Sequence, residues 1–378
     1  MYADKPLYNG SINFVGEDMP KIACVNRFGR CQTPFFEQQF LKAFYDRFLS
    51  KAQPLKSGSV IFDFNELVWA DLLEILSIIG AMFHLSTQSN QKVALHISES
   101  AKSQKSIDHL AASGFFSLLS HLSIEVNAPE VTTDDPHFFF RFTNITDYYK
   151  KEEARNLILE NLKYYYPEMS STERFSFDKI VNEALENTLE HAYDSRPSGL
   201  RPRLIGIRRF PAKSLAAQST QILTHQSYWL RDLLRHSKGC DFLEISIVDV
   251  GVGILANIRN ELVPYMQSKL GRAVMPSEIN DLSALRFVTS KAKSTSSYSK
   301  EGKGFGLYKL KNHVQAWNGL FLIRSGRARI ISSPATQEND ETDKLIPFLG
   351  TQIRVLLPVT TDRRMNIEYI LSRESELK

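Results

Sequence analysis

Apolar positions along the chain change their spacing several times, and the changes mark the elements. From Phe177 to Tyr193, Val181, Ala184, Leu185, Thr188 and Ala192 recur at three- and four-residue steps. That spacing predicts a helix with one buried stripe. Ser171 or Thr172 can cap its start. Glu183, Asn187 and His191 recur every fourth residue and form a polar row along it, with Asn182, Glu186 and Glu190 on the solvent side. Asp147 to Tyr165 reads as a preceding helix that ends before Pro167. Leu204 to Ile207 reads as a strand. Leu243, Ile245 and Ile247 then alternate with Glu244 and Ser246, the pattern of a half-buried strand. Ile254 to Met266 and Glu278 to Val288 look helical, and Leu307, Leu310, Val314 and Trp317 begin another helix. Phe321 to Arg329 and Phe348 to Leu357 supply closing strands around a polar loop at 334–344, and Arg363 to Leu377 reads as a terminal helix.

The first part of the chain has a different rhythm. Lys21 to Val25 with a turn at Arg27 to Arg30 suggests a hairpin. Thr33-Pro34 can open a helix whose apolar face is Phe35, Phe40, Ala43, Phe44 and Phe48. Ser59 to Phe64, Asp71 to Leu85, Lys92 to Ile97 and Ile107 to Ala112 then read strand, helix, strand, helix, which implies a parallel α/β sheet. The apolar stretch Leu72 to Leu85 is broken by Glu74, Ser77, Gly80 and His84, as in a buried helix rather than a membrane span. Phe138 to Phe142 reads as a strand, followed by a boundary near Thr143 to Lys151. The expected division is residues 1–145, then 146–360 with an insertion about 211–240 containing a helix near Ser219 to His236, then a tail at 361–378.

Composition narrows the class. A chain of 378 residues with 43% hydrophobic and 23% charged residues suits two globular domains. The net charge of +4 gives no argument for nucleic acid or an anionic membrane. Cys24, Cys31 and Cys240 form no metal spacing and no even disulfide set, so reduced thiols and a cytoplasmic location are expected.

Three stretches carry candidate chemistry. A carboxylate one helical turn from an amide (Glu183, Asn187) can take a proton beside a hard oxygen ligand suited to magnesium. Asp249 ends a strand before Gly251 and Gly253, where the backbone can turn sharply and an exocyclic amine could find an acceptor. Gly302, Gly304 and Gly306 feed a helix N-terminus, a favourable place for phosphate, with Lys300 and Lys303 adding positive charge.

In this order the three stretches resemble the N box and two glycine boxes of the GHKL ATPase superfamily of gyrases and histidine kinases. Gly350-Thr351 on the last strand is similar to that superfamily's closing Gly-Thr. The wording Glu183-x3-Asn187-x3-His191-Ala192-Tyr193 is most similar to the anti-sigma-factor serine kinases. The resemblance implies a GHKL α/β sandwich, a mixed sheet covered by helices on one face, that binds ATP and Mg2+. Glu183 would be the general base and Asn187 the magnesium ligand. Asp249 and Thr351 would lie at the adenine, His191 near phosphate, and Gly251, Gly253, Gly302, Lys303, Gly304, Gly306 and Leu307 around the nucleotide. A lid about 255–303, with Lys291, Lys293 and Lys300 in a Ser/Lys-rich run, would order over the triphosphate.

The first domain is similar to the STAS fold of anti-sigma-factor antagonists. The acceptor serine expected after its core strand is absent, and the stretch is Trp69-Ala-Asp71-Leu-Leu-Glu74, with none until Ser77. That implies a docking or dimerisation module. The expected function is an ATP-driven switch on a protein partner or homo-oligomer. The competing expectations are a serine/threonine protein kinase, or a non-hydrolysing nucleotide sensor or scaffold in a bacterial stress or antiphage system.

Overall fold

The computed structural model describes residues 21–23, 40–49, 59–64, 72–88, 92–97, 104–128, 140–144, 148–167, 169–191, 202–210, 233, 240–290, 306–334 and 340–359. The chain is mixed α/β and divides into two compact units, Met1–Phe138 and Phe139–Lys378.

The first unit alternates strand and helix: β1 (Lys21–Ala23), α1 (Lys42–Phe44, running into a π-helical turn at Tyr45–Leu49), β2 (Ser59–Asp63), α2 (Leu72–Gln88), β3 (Lys92–His96), α3 (Gln104–Ala112), α4 (Phe115–His121) and β4 (Glu125–Asn127). Its strands lie in sequence order and pair in parallel, as alternating helical crossovers dictate. Of the hairpin expected at Lys21–Val25, β1 pairs in parallel with β2, and the expected turn at Arg27 to Arg30 lies outside the described residues. The α2 helix is buried nearly all round, Glu74 and Ser77 included. Ser77 belongs to that interior, donating to the Leu73 carbonyl at 2.6 Å. Gly114 takes φ +81° between α3 and α4 and lets Phe115 turn inward to stack on Phe64. No helix among the described residues is long and apolar enough to cross a membrane.

The second unit contains β5 (Phe140–Asn144), α5 (Tyr148–Tyr165), α6 (Ser171–His191), β6 (Arg203–Phe210), β7 (Asp241–Asp249), α7 (Ile254–Leu270), a 3-10 turn at Pro276–Glu278, α8 (Asp281–Val288), α9 (Gly306–Ala316), β8 (Leu320–Gly326), β9 (Ala328–Ser332), β10 (Asp340–Thr342) and β11 (Phe348–Val359). Its seven strands run in the order β10-β9-β8-β11-β7-β6-β5. Every pairing is antiparallel, which corrects the mixed sheet expected from the sequence. The reason lies in the connections. Between β5 and β6 the chain makes a helical hairpin, with Arg155 on Asp178 and Lys151 on Glu186, so two helices reverse the direction where one would have kept it. The strand near 140, expected to close the first domain, pairs with β6 and so belongs to this second sheet.

On one face of the sheet, inner rows such as Ile205–Ile247–Ile353–Ile323–Ile330 pack with the apolar stripes of α5 to α9 in one core. Much of the stretch expected to be a lid is fixed in that core. Ile258, Leu262, Leu285, Phe287 and Val288 are all buried. The opposite face is buried too, which corrects the half-buried reading of β7. Glu244 takes Arg208 at 2.5 Å, Arg354 at 2.8 Å and the Ser246 hydroxyl at 2.9 Å, so its alternating polar residues form an interior ion-pair network. Phe321 to Arg329 is not one strand but most of a hairpin that turns at Gly326-Arg327, and residues 340–342 of the expected polar loop pair with β9 as β10. The insertion helix expected within 211–240, the Ser/Lys-rich run and the helix at 363–377 lie outside the described residues, apart from buried Leu233.

Candidate functional site

The α6 helix is fixed at its start by Ser170, one residue before the caps expected from the sequence. The Glu173 amide donates to the Ser170 hydroxyl oxygen at 3.2 Å, and Glu173 accepts from the Ser170 amide at 2.8 Å, a reciprocal capping box. Phe177, Ile180, Val181, Ala184 and Leu185 are then buried in the core. Asn187 is itself buried, and its Nδ2 donates to the Glu183 carbonyl oxygen at 2.5 Å.

Against this helix packs α9, antiparallel and in a fixed register. Gly306 lies against the Asn187 amide, Lys309 Nζ lies 3.7 Å from Glu183 Oε1, and the Trp317 indole donates to the Ser176 hydroxyl at 3.0 Å while its ring stands edge-on to Phe177. A Cβ at Gly306 would come within 2.5 Å of both polar atoms of the Asn187 amide, so the close approach requires glycine. Leu307, expected near the nucleotide, is packed in the core. Glu186, expected to face water, is paired with the buried Lys151 ammonium at 3.0 Å. Burial pushes the Glu186 carboxyl up, but hydrogen bonds from Lys151 and Asn182 and the fields of Lys151 and Lys309 outweigh it and hold it below its ordinary value.

A second cluster forms where the strands end. Register aligns Arg203, Asp249, Thr351 and Ser325 across β6, β7, β11 and β8, on the same side as the isoleucine rows. Asp249 Oδ1 accepts from the Gly251 amide at 3.0 Å and the Thr351 amide at 3.2 Å. Burial pushes the Asp249 carboxyl up to about 7, against the opposing pull of the Thr351 and Gly251 hydrogen bonds and the Arg203 charge. Gly350 adopts φ +82°, and a Cβ there would overlap the Asp249 carbonyl oxygen and come within 2.6 Å of its carboxylate. Gly253 sits at φ +79° ahead of α7, whose Ile254 amide donates to the Ser325 hydroxyl at 2.9 Å.

The structure thus brings Glu183, Asn187 and Gly306 together at the α6–α9 contact, and Asp249, Gly251, Gly253 and Thr351 together at the strand ends. His191 lies in the last turn of α6, with its side chain outside the described residues; Gly302, Lys303 and Gly304 also lie outside them. Sequence reasoning missed Lys309, Arg203 and Ser325. The signal for Lys309 was its place one turn after Gly306, just as Glu183 is one turn before Asn187. No group of three or more His, Cys, Asp and Glu side chains among the described residues could hold a metal. The α6–α9 contact offers the Asn187 amide oxygen as one hard donor. No family model, curated protein or solved structure matches the chain.

Proposed function

We propose that the second unit binds Mg-ATP and hydrolyses it in the manner of GHKL ATPases, acting as a nucleotide-driven switch on a protein partner. The observation that carries the reading is the seating of Gly306 on the Asn187 amide, one turn from Glu183. A glycine that ends a glycine-rich stretch and begins a helix thereby meets a hard amide oxygen, one helical turn from Glu183.

In this reading Glu183 accepts a proton from a water molecule as the water oxygen bonds to the γ-phosphorus. The bond from that phosphorus to the β-bridging oxygen breaks, and ADP leaves with the electron pair. Asn187 would hold the magnesium, which when bound neutralises charge on the phosphates. The Asp249 carboxylate would accept from the adenine amine, and Thr351, beside it in the sheet, would lie on the same side of the base. The first unit would couple the nucleotide state to the partner.

Phosphate release with Mg-ATP on the wild type, Glu183→Ala and Asn187→Ala tests the reading. We expect turnover in the wild type, loss of turnover with retained binding in Glu183→Ala, and weakened magnesium-dependent binding in Asn187→Ala. Absence of ATP binding to the wild type would overturn it. Binding without phosphate release would transfer the reading to a kinase lacking its substrate or to a sensor.

A further inference from the structure

Ser325 belongs to no glycine motif, yet two of those motifs meet on its hydroxyl. It is buried on β8 and stands beside Thr351 in the register of the sheet. Its oxygen accepts from the Ile254 amide at 2.9 Å, and its proton goes to the Gly350 carbonyl oxygen at 3.2 Å. A hydroxyl can accept and donate at once.

Both partners sit where the regular bonding of an element stops. The first amides of a helix have no acceptor within it, and the residue before α7 is Gly253, which has no side chain to cap them. Ser325 supplies that cap from β8. Its approach uses the missing side chain, because a Cβ at Gly253 would come to 3.0 Å from the Ser325 oxygen. On the other side, the pairing of β11 with β8 shifts register between Phe348 and Thr351, and Gly350 falls inside that irregularity at φ +82°. Its carbonyl meets the Ser325 hydroxyl there.

The same two segments meet a second time on Asp249, whose Oδ1 accepts from the Gly251 and Thr351 amides. The direction of that carboxylate therefore depends on the spacing between 251–254 and 350–351. Ser325 is a second tie across this spacing.

We propose that Ser325 is a positioning residue for nucleobase recognition: by tying the turn at 251–254 to Gly350 it aims Asp249 at the exocyclic amine of the base. The proposal rests on the ATPase reading and deepens it, since base discrimination then depends on a side chain that acts through Asp249. The triphosphate, which the same reading places toward the α6–α9 contact, is not under its control.

The test titrates the full-length wild type, Ser325→Ala and Ser325→Cys with ATP and with inosine triphosphate, which carries a carbonyl in place of the adenine amine. Titrations are run at pH 8, above the value of about 7 to which burial pushes Asp249. The wild type should prefer ATP by at least about tenfold, because a site built to bond a donor rejects the analogue that lacks it. Ser325→Ala should lose about tenfold in affinity for ATP and keep its affinity for inosine triphosphate within about twofold, so that most of the preference disappears. The thiol of Ser325→Cys is a weak donor and acceptor of similar size. That variant should shift the preference the same way, and it carries the test if thermal melts show Ser325→Ala unfolded. Equal weakening of both nucleotides would make Ser325 a purely structural residue and overturn the proposal. An unchanged preference would overturn it as well. A wild type that binds the two nucleotides alike would overturn it while leaving nucleotide binding intact, and failure of the wild type to bind ATP would overturn both readings.

Discussion

Replacing Asp249 by Asn separates the charge of this carboxyl from its shape. The Asn oxygen can still accept from the Gly251 and Thr351 amides, which both use a single oxygen of the carboxylate. What disappears is the cost of ionising a group buried at the end of β7. That cost pushes the carboxyl up to about 7 from an ordinary 3.8. The difference of about three pH units corresponds to about 4 kcal/mol, since each unit is worth about 1.36 kcal/mol.

A raised carboxyl makes the folded protein hold its proton more tightly than the unfolded chain does. The resulting stability is fully present below 3.8 and is lost as pH rises through about 7. Asp249→Asn has no such proton to lose. Its stability relative to the wild type should therefore be near zero in acid and grow by up to about 4 kcal/mol by mildly alkaline pH. Urea unfolding of both proteins at several values across this range measures the difference. The comparison between the two is essential because every other ionisable group of the chain contributes equally to both curves. Parallel pH curves for the two proteins would refute the titration of Asp249 in this range. The same equilibrium bears on ligand. If the ionised carboxylate accepts from adenine, apparent ATP affinity should weaken about tenfold for each pH unit below about 7, and Asp249→Asn should bind poorly at every pH.

Three other substitutions probe the packing that builds the site. Gly306→Ala drives a methyl into the Asn187 amide and should reduce ATP affinity or turnover at least about tenfold; it should also cost about 1–3 kcal/mol in urea unfolding. Gly350→Ala adds backbone strain to overlap with Asp249, so it should lower the melting temperature more than Gly306→Ala does. Glu244→Ala removes a carboxylate shared by the buried Arg208 and Arg354 and should destabilise the second unit by about 3–5 kcal/mol, measured in the same way.

The elements that carry the site were legible in the sequence because each has a single strong period. The α6 stripe through Val181, Ala184 and Leu185 and the helix after Gly306 stand as read, and β7 is a strand as its alternation announced, though buried on both faces. The sheet's direction was harder to read. It depends on how many helices fill a connection, and the pair α5–α6 reverses a chain that a single crossover would not. Burial on the second face was not legible either. Glu244 and Ser246 have the spacing of solvent-facing residues, and only their partners Arg208 and Arg354, supplied by neighbouring strands, keep them inside. Lys309 escaped for a related reason: its meaning depends on a helix–helix register set by Trp317, Ser176 and Phe177.

Both candidate clusters are aimed by packing at a distance from their polar atoms. Side chains alternate along a strand, so a slip of β7 by one residue would exchange its faces. Ile245 and Ile247 would leave the core, and Asp249 would leave the row it shares with Arg203, Thr351 and Ser325. The apolar rows therefore hold the carboxylate in place by making every other register costly. The helices follow the same logic. Trp317 lies eleven residues after Gly306, about 16 Å along α9. Its indole bond to Ser176 and edge contact with Phe177 lie far from Glu183, yet rotation or sliding of α9 by one residue would break them together with the seating of Gly306 on Asn187. The seating of Gly306 on Asn187 is thus coupled to the core through rigid helix packing, and any motion of α9 must break or preserve all three contacts at once.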